Sequence, residues 1–226
     1  MASDPLPSFP FLNPGEFRSI CSSFLNRVTR YSGDLRALGW TNVKQDYQDG
    51  SAMLIISRII DLPQWANGEQ NDEGSYLQDD IEDDDPEMLI RPSSISGTSK
   101  VEMEYHILLS PTYQVPVLHF FFKNTPYSGP NALEIVYEHL VPPAYRSDLK
   151  QVGVMGGISM TNHPISGIPV YFIHPCNTAS ALQTVQGKET PTAETYLPLW
   201  LGLVGNCVGL YIPKELFASL RNNSDD

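Results

Sequence analysis

Val101-Glu102-Met103-Glu104-Tyr105-His106-Ile107-Leu108-Leu109, the turn Ser110-Pro111-Thr112, and Val115-Pro116-Val117-Leu118-His119-Phe120-Phe121-Phe122 decide the fold of this 226-residue chain. Val101, Met103, Tyr105, Ile107 and Leu109 alternate with Glu102, Glu104, His106 and Leu108, the period of a half-buried strand. Ser110-Pro111-Thr112 reads as a turn, and the aromatic-rich run after it as a second strand, so the two make a hairpin. Two earlier segments have the same character: Trp40–Gln45, and the longer, strongly apolar Ala52–Ile60. Together the four predict an antiparallel meander.

A helix precedes the meander. Asn13 is a good N-cap, Pro14 suits the first helical position, and Glu16 sits where a capping box needs an acid. Phe17, Ile20, Cys21, Phe24, Leu25 and Val28 then fall on one stripe, which must pack against something. Cys21 lies in that stripe and reads as a small core residue. After the hairpin, a helix is predicted over Ala132–Leu140, stopped by Pro142-Pro143. Pro164–Ile173 alternates weakly, as a short strand or extended segment. Tyr196, Leu199, Trp200 and Leu203 form a last helical stripe, started near Thr190-Pro191-Thr192 and stopped at Gly205 or Gly209. The order predicts an α+β class with helices on one face of the sheet.

Between about Pro63 and Ser99 the chain is acidic, rich in Ser, Gly and Pro, and poor in core-forming residues. It reads as a disordered insertion in one connection of a single domain covering 1–226. Residues 69–89 hold ten acids and no Lys or Arg, so the net charge of −12 leaves 16 acids against 14 bases elsewhere. The remainder is nearly neutral, and overall charge says little about partners.

Composition excludes several classes. No basic cluster with interleaved aromatics points to nucleic acid. No apolar run reaches membrane-spanning length, and the N-terminus lacks the pattern of a secretory signal. Cys21, Cys176 and Cys207 are odd in number and widely spaced, which fits a reducing, cytoplasmic setting and no disulfide framework. His106, His119, His139, His163 and His174 show no metal-ligand spacing, and no P-loop, GxGxxG or GxSxG is present. No cofactor or metal is expected, and a chain without an ATP site can accept an activated acyl group but not make one.

Thiol chemistry stays open, and with it a cysteine protease, whose local signatures are missing but whose His and Asn or Asp need meet only in space. In His174-Pro175-Cys176-Asn177-Thr178, proline pins the backbone and removes a donor, which holds the thiol in an irregular segment. A thiolate is a strong nucleophile, and its thioester is reactive toward amines. From local residues alone Cys176 reads either as such a nucleophile or as a buried inert thiol, and His174 either as its helper or as an ordinary histidine. Cys207, between Gly205 and Gly209, reads as packing.

Glu104-Tyr105-His106, Tyr113-Gln114-Val115-Pro116-Val117-Leu118, His163-Pro164-Ile165, His174-Pro175-Cys176 and Leu199-Trp200-Leu201 with Val204-Gly205 come in an order that resembles the autophagy-related protein 10 family, over roughly residues 101–213. The resemblance implies an E2-like fold, with the four-stranded meander, helices packed on one face and additional short strands near the catalytic loop. It also implies an E2-like transferase that takes the ubiquitin-like autophagy-related protein 12 from the E1-like autophagy-related protein 7 as a thioester on Cys176. The acceptor is then a lysine of autophagy-related protein 5. Ubiquitin E2 enzymes carry His-Pro-Asn upstream of the cysteine; here His163 is followed by Pro164-Ile165. The resemblance makes His174 and Tyr113 the substitutes, although Tyr113 reads equally as a hairpin residue with its hydroxyl in water. Two alternatives stay open: a sister enzyme of the autophagy-related protein 3 type acting on a lipid, and a non-catalytic E2-like interaction module.

Overall fold

A computed structural model of the chain describes residues 4–48, 50–63, 98–125, 131–152 and 157–218. The acidic insertion expected at about 63–99 lies, from 64 to 97, outside the described residues. The chain divides into two units, residues 1–60 with 101–226, and residues 61–100. Of the second unit the described residues are strand termini.

α1 spans Pro14–Arg30, and its start is built as the local residues dictate. The Asn13 side chain accepts the Glu16 N–H at 2.9 Å, and the Glu16 carboxylate accepts the Asn13 N–H at 2.8 Å. This reciprocal pair satisfies two of the donors that a helix N-terminus leaves open. Phe17, Ile20, Cys21, Phe24 and Val28 are buried, as the stripe predicts. Phe24 meets Trp40 with ring centroids 6.2 Å apart, and Ser22 donates to the Gln45 side chain at 3.0 Å, so α1 lies against the first strand.

The strands are β1 (Trp40–Gln48), β2 (Ser51–Pro63), β3 (Thr98–Leu109), β4 (Pro116–Lys123), β5 (Ile158–Asn162) and β6 (Pro169–Ile173). They form one sheet in the order β1-β2-β3-β4-β6-β5. The four predicted strands are its first four members in chain order, but the sheet is six-stranded, not a four-stranded meander. β1/β2, β3/β4, β4/β6 and β5/β6 pair antiparallel. The segment predicted over Pro164–Ile173 is a turn followed by β6. β5 escaped notice because Ile158-Ser159-Met160-Thr161-Asn162 carries too little apolar alternation.

The expectation of a half-buried β3 holds only at its start. Tyr105, His106, Ile107 and Leu108 are all buried. Tyr105 and Ile107 face one side, where the Tyr105 hydroxyl donates to the Val208 carbonyl at 3.2 Å. His106 and Leu108 face the other side, as strand geometry requires. There Leu108 clusters with Met53 and Ile55, and Ile165 from the β5–β6 turn packs against them.

The helices after the hairpin differ in detail from the pattern. α2 (Asn131–Ile135) continues as a π turn over Val136–Leu140, and α3 (Pro143–Val152) begins at the proline that was read only as a stop. Proline lacks an N–H and has a fixed φ, so it serves a helix start as well as a helix end. α4 (Thr178–Val185) follows the cysteine segment, which the sequence had presented as a loop. α5 (Tyr196–Val204) buries Tyr196, Leu197, Trp200, Leu201 and Val204, while Leu199 and Leu203 are half-buried. Its face is therefore rotated from the predicted stripe. A tighter turn over Gly205–Val208 ends at Gly209, whose φ of 68° is the left-handed cap. A Cβ at Gly205 would lie 2.6 Å from the Leu210 carbonyl oxygen, so both glycines are required. A short α6 (Glu215–Ala218) closes the described chain.

Two substitutions measure this scaffold by urea unfolding. Phe24→Ala removes a buried ring and lowers stability by about 3–5 kcal/mol. Asn13→Ala removes one half of the capping box and costs about 1 kcal/mol.

Candidate active site

β6 delivers the chain to the cysteine. Its last residue, Ile173, is buried, and His174 follows in extended conformation as the cap of a short 3₁₀ turn over Pro175–Asn177. The Cys176 amide N–H donates to His174 Nδ1 at 3.2 Å. Pro175 is buried on one side of Cys176 and Thr178 on the other, while Cys176 itself is half-buried. The flanks are anchored, so the thiol sits at a defined point instead of on a mobile loop. α4 begins two residues later. The Thr178 N–H that opens it donates to the Pro175 carbonyl, so the helix continues directly from the cysteine turn.

Tyr113 belongs to the turn between β3 and β4. Its amide N–H donates to Ser110 Oγ at 3.1 Å, and Ser110 N–H donates to the Val115 carbonyl at 3.0 Å. Gln114 takes a φ of 54°, a left-handed conformation for a residue with a Cβ, and its carbonyl accepts the Leu12 N–H at 2.7 Å. The N-terminal segment thus holds the turn in place. The Tyr113 ring stands edge-on to His174 at 5.6 Å, and Tyr113 is 39% exposed. The three predicted site residues are therefore in one place: Tyr113 against His174, and His174 bonded to the Cys176 backbone.

The other cysteines are unlike this one. Cys21 is fully buried, and burial pushes its thiol up to about 12. Burial also raises Cys207, whose Sγ reaches the Leu203 carbonyl at 3.5 Å. Cys21 matches the packing role read from sequence, while Cys207 is half-buried, as Cys176 is.

A second group lies on the same side of the sheet as Leu108. His106 Nδ1 meets His163 Nε2 at 3.0 Å, and His106 Nε2 meets a Glu104 oxygen at 2.7 Å. Lys123 Nζ lies 3.0 Å from the other Glu104 oxygen. His163 Nδ1 faces two donors, the N–H groups of Ile165 at 3.3 Å and Ser166 at 3.2 Å. His119 packs its ring edge-on to His163 at 5.6 Å and stacks on Phe172 at 6.1 Å, and Phe172 reaches His174 at 6.0 Å. The His119 Nδ1 is buried without a hydrogen-bond partner. Among the described residues no group of three or more His, Cys, Asp or Glu is arranged to hold a metal ion. His106 and His163 meet as hydrogen-bond partners.

A family model described as "Autophagocytosis associated protein, active-site domain" matches residues 16–215. The chain belongs to that family. Relatives named "Ubiquitin-like-conjugating enzyme ATG10" agree with the resemblance carried by the motifs. The Gibberella zeae protein is 42% identical over 138 residues, which cover 61% of this chain and 56% of the relative. The Homo sapiens protein is 33% identical over 123 residues, 52% of this chain and 53% of the relative. The Dictyostelium discoideum protein is 30% identical over 131 residues, 54% and 55% of the two. The match thus spans about half the length of the curated relatives.

In the sequence Glu104, His106 and His163 stand only as markers of the family, and His119 carries no signal beyond the want of metal spacing. The signal for His119 was its position, directly opposite His106 in the hairpin register. Nothing local revealed that His163, 57 residues beyond His106, folds back onto it.

The cluster has an acid-sensitive signature. Burial, reinforced by the nearby His163 and His106, pushes His119 from its ordinary 6.5 down to about 4. Burial and His106 also lower His163. The His106 hydrogen bond, joined by Lys123 and opposed by burial, holds the Glu104 carboxyl down at about 2. Above pH 6.5 His119 is neutral in both folded and unfolded chains and has no effect on stability. As pH falls from 6.5 to 4 the unfolded chain takes up a proton that the folded one refuses, so stability drops. Glu104 acts lower: its contribution is full above its ordinary 4.5 and lost as pH falls toward 2. In urea unfolding between pH 7.5 and 4, His119→Phe removes on the order of 2–3 kcal/mol of this acid loss. An unchanged slope contradicts the assignment.

Proposed function

We propose that the chain is an E2-like transferase in which Cys176 carries a ubiquitin-like modifier as a thioester and hands it to an amine. The observation that carries this reading is the half-buried thiol held between buried Pro175 and Thr178, with His174 bonded to the Cys176 amide and Tyr113 edge-on to His174. The name shared by the relatives, ubiquitin-like-conjugating enzyme, supports it. The motif resemblance supplies the finer reading: autophagy-related protein 12 as modifier, the E1-like autophagy-related protein 7 as donor, and a lysine of autophagy-related protein 5 as acceptor, in the cytoplasm. No described helix is long and apolar enough to cross a membrane.

The chemistry follows from the residues. A neutral acceptor amine attacks the thioester carbonyl carbon and the carbonyl oxygen gains the negative charge. Collapse re-forms the carbonyl, breaks the carbon–sulfur bond and releases the Cys176 thiolate, while the nitrogen gives up a proton to become an amide. Donors near the sulfur stabilise the passing oxyanion. The candidates are the Tyr113 hydroxyl, the Nε2 side of His174, and backbone N–H groups near Cys176. With Nδ1 accepting from the Cys176 amide, the His174 proton sits on Nε2.

The test is reconstitution with the E1-like enzyme, ATP and the modifier, read on a non-reducing gel. Wild type forms an adduct that thiol reductant removes. Cys176→Ser gives a reductant-resistant ester, and Cys176→Ala gives none; normal conjugation by Cys176→Ala refutes the reading. Tyr113→Phe keeps the ring against His174 and loses only the hydroxyl. It slows discharge by roughly 10²–10³ with loading largely intact if that hydroxyl is an oxyanion donor.

A further inference from the structure

The histidine group beneath the β5–β6 turn contains a directional chain of hydrogen bonds that the cysteine chemistry leaves unused. His163 Nδ1 receives two backbone N–H groups, from Ile165 and Ser166. It must therefore present a lone pair there, and a neutral ring then carries its proton on Nε2. That proton points at His106 Nδ1, 3.0 Å away. His106 Nδ1 is in turn the acceptor, so the His106 proton lies on Nε2 and points at the Glu104 carboxylate, 2.7 Å away. A carboxylate that can only accept dictates the tautomer of one imidazole, which dictates the tautomer of the next, which holds a turn.

That turn bears on the cysteine from two sides. His163 N–H donates to the Ile168 carbonyl at 2.8 Å and Gly167 N–H to the His163 carbonyl at 2.9 Å, with Gly167 at a left-handed φ of 70°. Ile165, carried by the turn, packs on the cluster of Met53, Ile55 and Leu108, and Leu108 lies two residues before Ser110 begins the turn that holds Tyr113. On the other flank, His163 abuts His119, which stacks on Phe172, which touches His174. Both routes end at the Tyr113–His174 pair.

We propose that Glu104 and His163 are positioning residues: Glu104 fixes the tautomers of His106 and His163, and His163 thereby holds the turn that sets Tyr113 and His174 beside Cys176. The titratable and charged groups facing His163 are His106 and Glu104 on β3 and His119 on β4, with Lys123 bound to Glu104 and Glu102 beside Lys123. The kinetic consequence rests on the thioester reading above. The tautomers do not.

Two variants separate this relay from a simple packing role. In Glu104→Gln, the Lys123 ammonium claims the one oxygen that an amide keeps, and the amide N–H₂ turns to His106. The His106 proton then moves to Nδ1, His163 Nε2 must accept, and the His163 proton moves to Nδ1, against the two backbone donors. In His163→Asn, the amide oxygen occupies the place of Nδ1 and accepts the turn N–H groups with no tautomer to set.

The first measurement is ¹⁵N NMR of the histidine rings in the full wild-type chain at pH 7.5. The expected result is the Nε2–H tautomer for both His106 and His163, converted toward Nδ1–H by Glu104→Gln. A wild-type His163 protonated on Nδ1 overturns the proposal, whatever Cys176 does and whether or not the variant folds. The second is single-turnover discharge of the Cys176 adduct. Glu104→Gln slows it on the order of tenfold, a loss typical of displaced reacting groups. Glu104→Gln in the His163→Asn background adds no further loss. Equal slowing in both backgrounds overturns the relay. Failure of wild type to form any adduct refutes the thioester reading instead, and leaves the relay to be judged by the tautomers.

Discussion

The pairing of β4 with β6, His119 opposite Phe172 and Phe120 opposite Tyr171, is the constraint on which the rest of the site depends. Side chains alternate along a strand, so a slip of one residue would exchange the two faces of β6. Tyr171, now packed tilted on Phe120 and edge-on to Phe122, would turn outward, and Phe172 would leave His119 and His174. β6 is only five residues long and runs directly into His174-Pro175-Cys176. Its register thus decides which way the cysteine turn leaves the sheet. The large rings on both faces make the correct register far better packed than its neighbours.

The two faces of the sheet have different tasks. On one, Tyr105, Ile107, Leu118 and Phe120 are buried, and this face supplies hydrophobic stabilisation. On the other, imidazoles and a carboxylate are buried or partly buried, where polar groups cost free energy unless they are bonded. Most are. Glu104 is held by His106 and Lys123, and His163 by His106 and two backbone donors. The exception is His119 Nδ1. Neutral, mutually bonded rings avoid the larger penalty of buried charge, and the depressed basicity of His119 and His163 expresses that preference. A bonded polar network of this kind specifies one arrangement of the turn above it.

The cysteines illustrate how the scaffold distributes thiol chemistry. Cys21 and Cys207 are raised by burial and so held as thiols. Cys176 sits on a turn fixed at both ends, its amide bonded to His174, which Tyr113 meets edge-on. This placement, in a chain that belongs to the autophagocytosis-associated active-site family, is why the transfer chemistry is proposed for it.

Local sequence was enough for whatever depends on short-range periodicity and capping. The α1 stripe with Asn13, Pro14 and Glu16, the four long strands, the His174-Pro175-Cys176 element and the core role of Cys21 needed no knowledge of distant residues. The missing features are those that depend on distant contacts. β5 is a strand because β6 pairs with it, not because Ile158–Asn162 has a strong pattern of its own. α4 and α3 begin where proline and a short apolar run allowed either a stop or a start, and packing chose the start. The face of α5 turned because its neighbours offered room for Leu197 and Leu201. The histidine group was invisible for the same reason: His106 and His119 looked like the wet side of a hairpin until the turn at His163 covered them. Periodicity reports the preferences of a segment, whereas burial is decided by what another part of the chain brings to it.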